Sequence, residues 1–286
     1  MAPVGKAGIF MVVITAANEK GGVCKTTSVV LLARGLAKRG ERVLVIDLDP
    51  QRGNVSRALG GEPDGYAGSY EMLCLRKEFT LEDCTQSVGE GVGLVAARPA
   101  VEKFATTYEQ MMKEQNVMRA LVGAEKDWDY VLIDTPPKIA ALSLAAMMAS
   151  DYVLVPTTPT QASVEGLSAV CRTASQVQEY NERLKVLCVA PMMVDARPSN
   201  VQKAMLEITE KLAEALEVPV LDVAVPRAKV VQECIDYRRD WTEIEPDEAR
   251  NKAVSRCWEF VDAFERAVAD AEAAKARRAA DEAARR

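Results

Sequence analysis

Histidine does not occur once in the 286 residues of the chain. Its absence excludes imidazole acid/base chemistry, Ser-His-Asp and Cys-His nucleophile systems, and any metal site that needs a ring nitrogen. Chemistry must therefore come from Lys, Asp, Thr or backbone amides. Cysteine is present seven times, an odd number with no Cys-x-x-Cys pair, which reads as a reduced, cytoplasmic interior without a disulfide framework. Long apolar runs are missing too. The stretch Ile139 to Ala149 falls short of the ~20 residues a spanning helix needs, so no transmembrane segment is expected. Lys6 followed by Gly8 to Ala17 superficially imitates a signal peptide, but charged and glycine-rich residues follow at once, and the run reads better as a buried strand. Neither charge sign dominates, with 36 Lys and Arg against 42 Asp and Glu and a net charge of −6.

What is present is the composition of a globular protein, 49% hydrophobic, long enough for one large α/β domain or two small ones. Short β-branched runs alternate with segments of helical period. The runs are Ile9–Thr15, Arg42–Asp47, Val92–Ala96, Tyr130–Asp134, Tyr152–Pro156, Val186–Met192 and a short one near Pro219–Val223. Between them, Lys25–Arg39, Thr107–Val122, Ile139–Ala149, Val164–Tyr180 and Asn200–Leu216 have helical character. The first two strands and Tyr130–Asp134 are apolar at nearly every position, as strands buried on both faces should be. The fold class expected is α/β, a single doubly wound, mostly parallel sheet with helices on both faces. Glycine-punctuated Gly53–Gly91 should hold short helices and loops. Helical character returns from Glu245, with Trp258, Val261, Phe264 and Val268 as an apolar stripe. Residues 1–272 are expected to form the domain, and 273–286 a charged, alanine-rich tail of net charge +3, either a solvated helix end or a contact for nucleic acid or a partner.

The most informative segment is Asn18-Glu19-Lys20-Gly21-Gly22-Val23-Cys24-Lys25-Thr26-Thr27, which follows the first strand and opens a helix. Glycines let successive N–H groups curl into one concavity, and the helix N-terminus adds partial positive charge, so the segment reads as a phosphate-binding loop. Gly21, Gly22, Val23, Cys24, Lys25, Thr26 and Thr27 would line it. Lys25 would sit on the β- and γ-phosphates and Thr26 on Mg²⁺. Two further strands end in acids at the edge where open α/β sheets bind ligands: Asp47-Leu48-Asp49-Pro50-Gln51 and Asp134-Thr135-Pro136-Pro137. Asp134 suits Mg²⁺ ligation through water, whereas Asp47 and Asp134 each also have the simpler reading of a helix cap.

These segments resemble the ParA/MinD group of deviant Walker P-loop ATPases, closest to the ParA-type partition ATPases, over most of residues 9–240. The resemblance implies ATP and Mg²⁺ as ligands and a homodimer that sandwiches ATP, with Lys20 as the extra lysine that reaches the partner's phosphates. It gives Lys20, Lys25 and Asp49 the catalytic roles, Asp49 orienting the attacking water, and Thr26, Asp49 and Asp134 the metal. Pro156–Leu167 is similar to the family's proline-rich strand end and Glu-Gly-Leu helix. Asp195-Ala196-Arg197 and Val225-Pro226-Arg227 are similar to segments that imply Arg197, Arg227 and Lys229 as DNA-phosphate contacts.

The implied function is partition or positioning of a plasmid, chromosome or other cargo by a cytoplasmic, nucleoid-associated ATPase. Its ATP-bound dimer would bind DNA non-specifically and hydrolyse slowly until a ParB-like or other centromere- or cargo-binding protein triggers it. The alternatives are a nucleotide-gated DNA scaffold with little hydrolysis and a MinD-like positioning ATPase. The second of these needs an apolar amphipathic tail, and the residues after Ala269 contain no large apolar side chain. One departure is Cys24, where the family has glycine. A Cβ there crowds the phosphates, and a position beside Lys25 at a helix N-terminus predicts a depressed thiol pKa and alkylation that ATP and Mg²⁺ block.

Overall fold

The computed structural model describes residues 11–51, 55–62, 67–74, 79–98, 101, 115–137, 141–247 and 251–285. Expected elements that reach beyond these, namely the start of Ile9–Thr15, residues 107–114 of Thr107–Val122 and the start of Ile139–Ala149, lie in part outside the described residues. The elements are β1 (Val12–Ala16), α1 (Lys25–Lys38), β2 (Val43–Asp47), α2 (Val55–Leu59), α3 (Ser69–Leu73), α4 (Leu81–Cys84), β3 (Thr85–Gly89) and β4 (Val92–Val95). They continue as α5 (Asn116–Ala120), β5 (Tyr130–Asp134), α6 (Ala141–Ala149), β6 (Tyr152–Thr157), α7 (Gln161–Gln178) and β7 (Lys185–Val194). The last are α8 (Asn200–Ala215), β8 (Val225–Pro226), α9 (Lys229–Asp236) and α10 (Lys252–Arg285).

Eight strands form one sheet in the order β3-β4-β2-β5-β1-β6-β7-β8. Every pairing is parallel except β3 with β4. Strand residues alternate between the two faces as the period of two demands. Ile14, Val43, Val45, Leu132 and Leu154 point into a core shared with α1 and α10. Val13, Leu44, Ile46, Val131 and Ile133 point the other way, onto α3, α5 and α6. The doubly wound α/β fold is therefore as expected, and α10 closes the first face with Phe260, Val261 and Phe264 fully buried. Burying each such phenylalanine contributes about 2 kcal/mol.

Three details differ from the sequence reading. The glycine-punctuated segment holds, besides short helices, the antiparallel edge strand β3, whose Thr-Gln-Ser-Val-Gly sequence carries one buried side chain and so lacks an apolar signature. The strand expected near Pro219–Val223 is reduced to an isolated bridge from Val220 to Val189, followed by the two-residue β8. Helix α9 occupies Lys229–Asp236, which carried no helix expectation. The C-terminal residues form one uninterrupted helix that passes Ala269 and residue 273 without a break, and from Ala273 onward its described side chains are exposed.

Candidate functional site

The carboxyl ends of β1, β2, β5 and β6 meet on one edge of the sheet, and the register decides which side chains gather there. Asp134 is the parallel partner of both Ala16 and Asp47. Two acids thus stand side by side at the mouth of the sheet, and both are buried. Burial pushes both carboxyls well above the ordinary range; the charge of Asp49 raises each further, and that of Asp47 adds to the rise at Asp134. Their settings differ. Asp47 is spent on the fold: its Oδ2 accepts from Ser56 N (3.1 Å) and Ser56 Oγ (2.5 Å), and its Oδ1 from Asp49 N (3.0 Å), so it ties the loop after β2 to the start of α2. The capping reading holds for Asp47. Among the described residues, Asp134 accepts only from Thr26 Oγ1 (2.7 Å) on Oδ2, and its buried Oδ1 has no hydrogen-bond partner. A buried, unsatisfied carboxylate oxygen beside a threonine hydroxyl is the donor set that a hydrated magnesium ion fits, because a cation removes both the repulsion and the missing partner.

The loop between β1 and α1 has the backbone shape that such a site requires. Gly22 and Cys24 both adopt left-handed conformations, with φ of 75° and 70°, separated by Val23. That alternation turns successive N–H groups inward, forming a nest for an anion. Helix α1 begins at Lys25 with no side-chain cap and no acid in its first turn, whereas α7 and α8 are capped by Thr160 and Ser199. Its first N–H groups are thus left to a ligand. Lys25 is buried and folded back, its Nζ donating to the carbonyls of Asn18 (3.2 Å) and Lys20 (3.2 Å). Burial lowers its pKa, opposed first by Asp134 and then by Asp49. Asp49 is buried beside this group, with Oδ1 accepting from Gln51 N at 3.0 Å.

Lys20 stands at the rim, its side chain 43% exposed and 3.9 Å from Glu165 of α7. The structure thus places Lys20, Gly21, Gly22, Val23, Cys24, Lys25, Thr26 and Thr27 along one loop and helix start, with Asp134 and Asp49 beside Lys25. Arg197, Arg227 and Lys229 lie on exposed segments after β7 and around β8. Arg227 pairs with Asp195 (3.3 Å), an exposed pair of small energy, and Lys229, itself exposed, with the half-buried Glu233 (3.2 Å). What the sequence reading missed is Asn18, a buried amide at the end of β1. A lone polar residue closing an apolar strand was the available signal.

The expected low pKa of Cys24 is overturned. Burial raises the thiol, outweighing a hydrogen bond from Thr27 and the charges of Arg227 and Lys25, because the side chain packs against the α1 core instead of facing the loop mouth. Its backbone bears out the concern about the missing glycine. A left-handed conformation strains any residue with a Cβ by about 1 kcal/mol. Cys24→Gly should therefore stabilise the protein by about 1 kcal/mol in urea denaturation. An unchanged or lower midpoint would show that the packing of the thiol outweighs the strain.

A central parallel sheet, a glycine-turned loop at the head of an uncapped helix, and a lysine, a threonine and two acids converging on it define a P-loop nucleoside-triphosphatase. The comparisons narrow the class. Residues 11–186 match the family model described as an AAA domain. The sporulation initiation inhibitor protein Soj of Bacillus subtilis is 30% identical over 220 residues, covering 75% of this chain and 84% of Soj. The chromosome partitioning protein ParA of Myxococcus xanthus is 31% identical, covering 79% of this chain and 78% of that one. Among solved structures, cobyrinic acid a,c-diamide synthase from Mycobacterium smegmatis, with a bound ATP analog and magnesium, superposes with a TM-score of 0.73 at 30% identity, covering 90% of this chain and 95% of the other. An McdA–ATP complex from Cyanothece shares the fold, with a TM-score of 0.77 at 17% identity over 91% of this chain and 96% of that one. The chain belongs to the ParA/MinD-type P-loop ATPases.

Proposed function

We propose that this chain is a Mg²⁺-dependent ATPase of the partition type, whose ATP-bound homodimer binds DNA without sequence preference and positions a cargo. The observation that carries the reading is the pairing of a buried loop lysine, Lys25, with an exposed second lysine, Lys20, at the rim of the same concavity. One lysine serves the phosphates in its own subunit. The other is free to reach outward, which suits a site completed by a second copy.

Bound with ATP, Mg²⁺ supplies neutralising charge for the phosphates, held by the Thr26 hydroxyl and, through water, by Asp134 and Asp49. Lys25 exchanges its two carbonyl partners for phosphate oxygens, and the N–H groups of Gly21 to Thr27 close around them. Asp49 orients the attacking water and receives its proton. Arg227, whose charge reaches Cys24 of the loop, is paired with Asp195, so turnover is slow until the second subunit and a ParB-like or other cargo-bound activator complete the charge stabilisation. A nucleotide-gated scaffold with little hydrolysis is the second reading, supported by the strained Cys24.

The discriminating experiment is fluorescence anisotropy of a random-sequence duplex titrated with the protein in Mg²⁺ with ATP, with ADP and without nucleotide. Binding with ATP alone is expected. The affinity should fall with salt at a log–log slope of about −0.9 per phosphate neutralised, flattened by replacing Arg197 and Arg227 together. Binding in no nucleotide state would remove DNA from the proposal, and an unchanged slope would move the DNA contacts away from these arginines.

A further inference from the structure

The Asn18 side chain, unlike its carbonyl, takes no part in the chemistry above, yet the residue is 1% exposed and touches three elements of the site. Its Nδ2 donates to the Pro156 carbonyl at the end of β6 (2.9 Å), and its Oδ1 accepts from the backbone N–H of Lys20 (3.2 Å). On its third side lies Gly166 of α7. A Cβ at Gly166 would stand 2.0 Å from Asn18 Oδ1, closer than any real contact, and 3.0 Å from its Cγ, tighter than most. The neighbouring Glu165 is the residue that faces Lys20. Gly166 is helical, so the missing side chain answers a close approach and no turn requirement.

We propose that the Asn18 side chain is a positioning residue that sets the direction in which Lys20 leaves the loop, with Gly166 providing the space it needs. The amide is used from both ends, as donor to a carbonyl and acceptor from an N–H. A carboxylate of the same shape satisfies the Lys20 N–H but sets an oxygen against the Pro156 oxygen, repelling the β6 end that anchors it. Serine is too short to span the two partners. Because Asn18 holds Lys20 by the backbone, displacing it re-aims a side chain that must reach a partner's phosphates, while the cradle formed by Gly21 to Thr27 keeps its own N–H groups. Three surroundings fix one amide: the exit of β6, the loop and the first turns of α7. A shift of α7 is therefore transmitted to Lys20. This inference rests on the proposed role of Lys20 between subunits.

The test compares Asn18→Asp, Gly166→Ala, Lys20→Ala and the double variant Asn18→Asp/Lys20→Ala in the full chain. Three quantities are read: ATP affinity of the monomer, the ATP-dependent dimer fraction by sedimentation, and turnover. Asn18→Asp is expected to hold ATP affinity within about threefold while dimer formation and turnover fall about tenfold or more, as in Lys20→Ala. The double variant should be no worse than Lys20→Ala, since residues acting through one another are not additive. Gly166→Ala should give the same pattern with Asn18 intact, although alanine favours a helix over glycine. It keeps the test decisive where Asn18→Asp lowers the yield of folded protein. Wild-type dimerisation in Asn18→Asp and Gly166→Ala, or a further loss on adding Asn18→Asp to Lys20→Ala, overturns the assignment alone. A Lys20→Ala protein that dimerises and turns over like wild type overturns it together with the reading of Lys20.

Discussion

Asp49→Ala should bind ATP and dimerise with it, yet turn over at least ~100-fold more slowly than the native chain, the usual effect of removing a group that handles the water's proton. The structure separates this outcome from a folding defect. Asp49 adds like charge to the buried pair Asp47 and Asp134, raising both carboxyls. Its removal relieves that crowding but takes one opposing charge from the buried Lys25, so thermal stability should change little. Among the hydrogen bonds lost is the one from Gln51 N, in a loop that Asp47 continues to anchor through Ser56. Retained nucleotide after gel filtration, together with turnover under multiple-turnover conditions, gives the answer. Hydrolysis at the wild-type rate would take the water-orienting role away from Asp49.

Lys25→Ala should fail one step earlier. Its ammonium is the cation buried deepest in the loop, already paired with two carbonyls and held close to Asp134 and Asp49. Losing charge-assisted hydrogen bonds to phosphate is worth about 3 kcal/mol, so ATP and ADP affinity should each fall roughly 100-fold. Stability should drop as well, since Asp134 loses its nearest opposing charge and stays buried. Isothermal titration with ATP and with ADP is the check. Affinity within a few-fold of wild type would mean that the backbone N–H groups carry nucleotide binding and that Lys25 acts only later. The contrast is informative because the two residues share one pocket: Asp49→Ala stops the protein with nucleotide in place, and Lys25→Ala stops it empty.

The sequence revealed those parts of the structure whose causes are local. Tyr130–Asp134 reads correctly to the residue because an uninterrupted apolar run ending in an acid has few other uses. The loop Gly21–Thr27 is legible because glycines, a lysine and threonines at that spacing serve one purpose. Parts that depend on distant partners were less legible. The antiparallel β3 exists because β4 offers an edge to pair with, and its own side chains are mixed. The pKa of Cys24 failed from sequence because proximity to Lys25 is local, whereas the burial that outweighs it comes from the core under α1. Asn18 was visible as a letter but not as a contact, because Pro156 and Gly166 lie more than a hundred positions away in the chain.

The helix α10 has a consequence of a different kind. At 1.5 Å per residue its 34 residues extend about 50 Å, close to the diameter expected for a compact chain of this length. Its first half is clamped beneath α1, Lys275 still pairs with the buried Asp151 at 3.8 Å, and the described side chains past it are exposed. Among the described residues, the helix past Lys275 is thus a stiff rod about 15 Å long. When two copies approach from the side of the rods, the rods meet first and set the distance at which the copies stop.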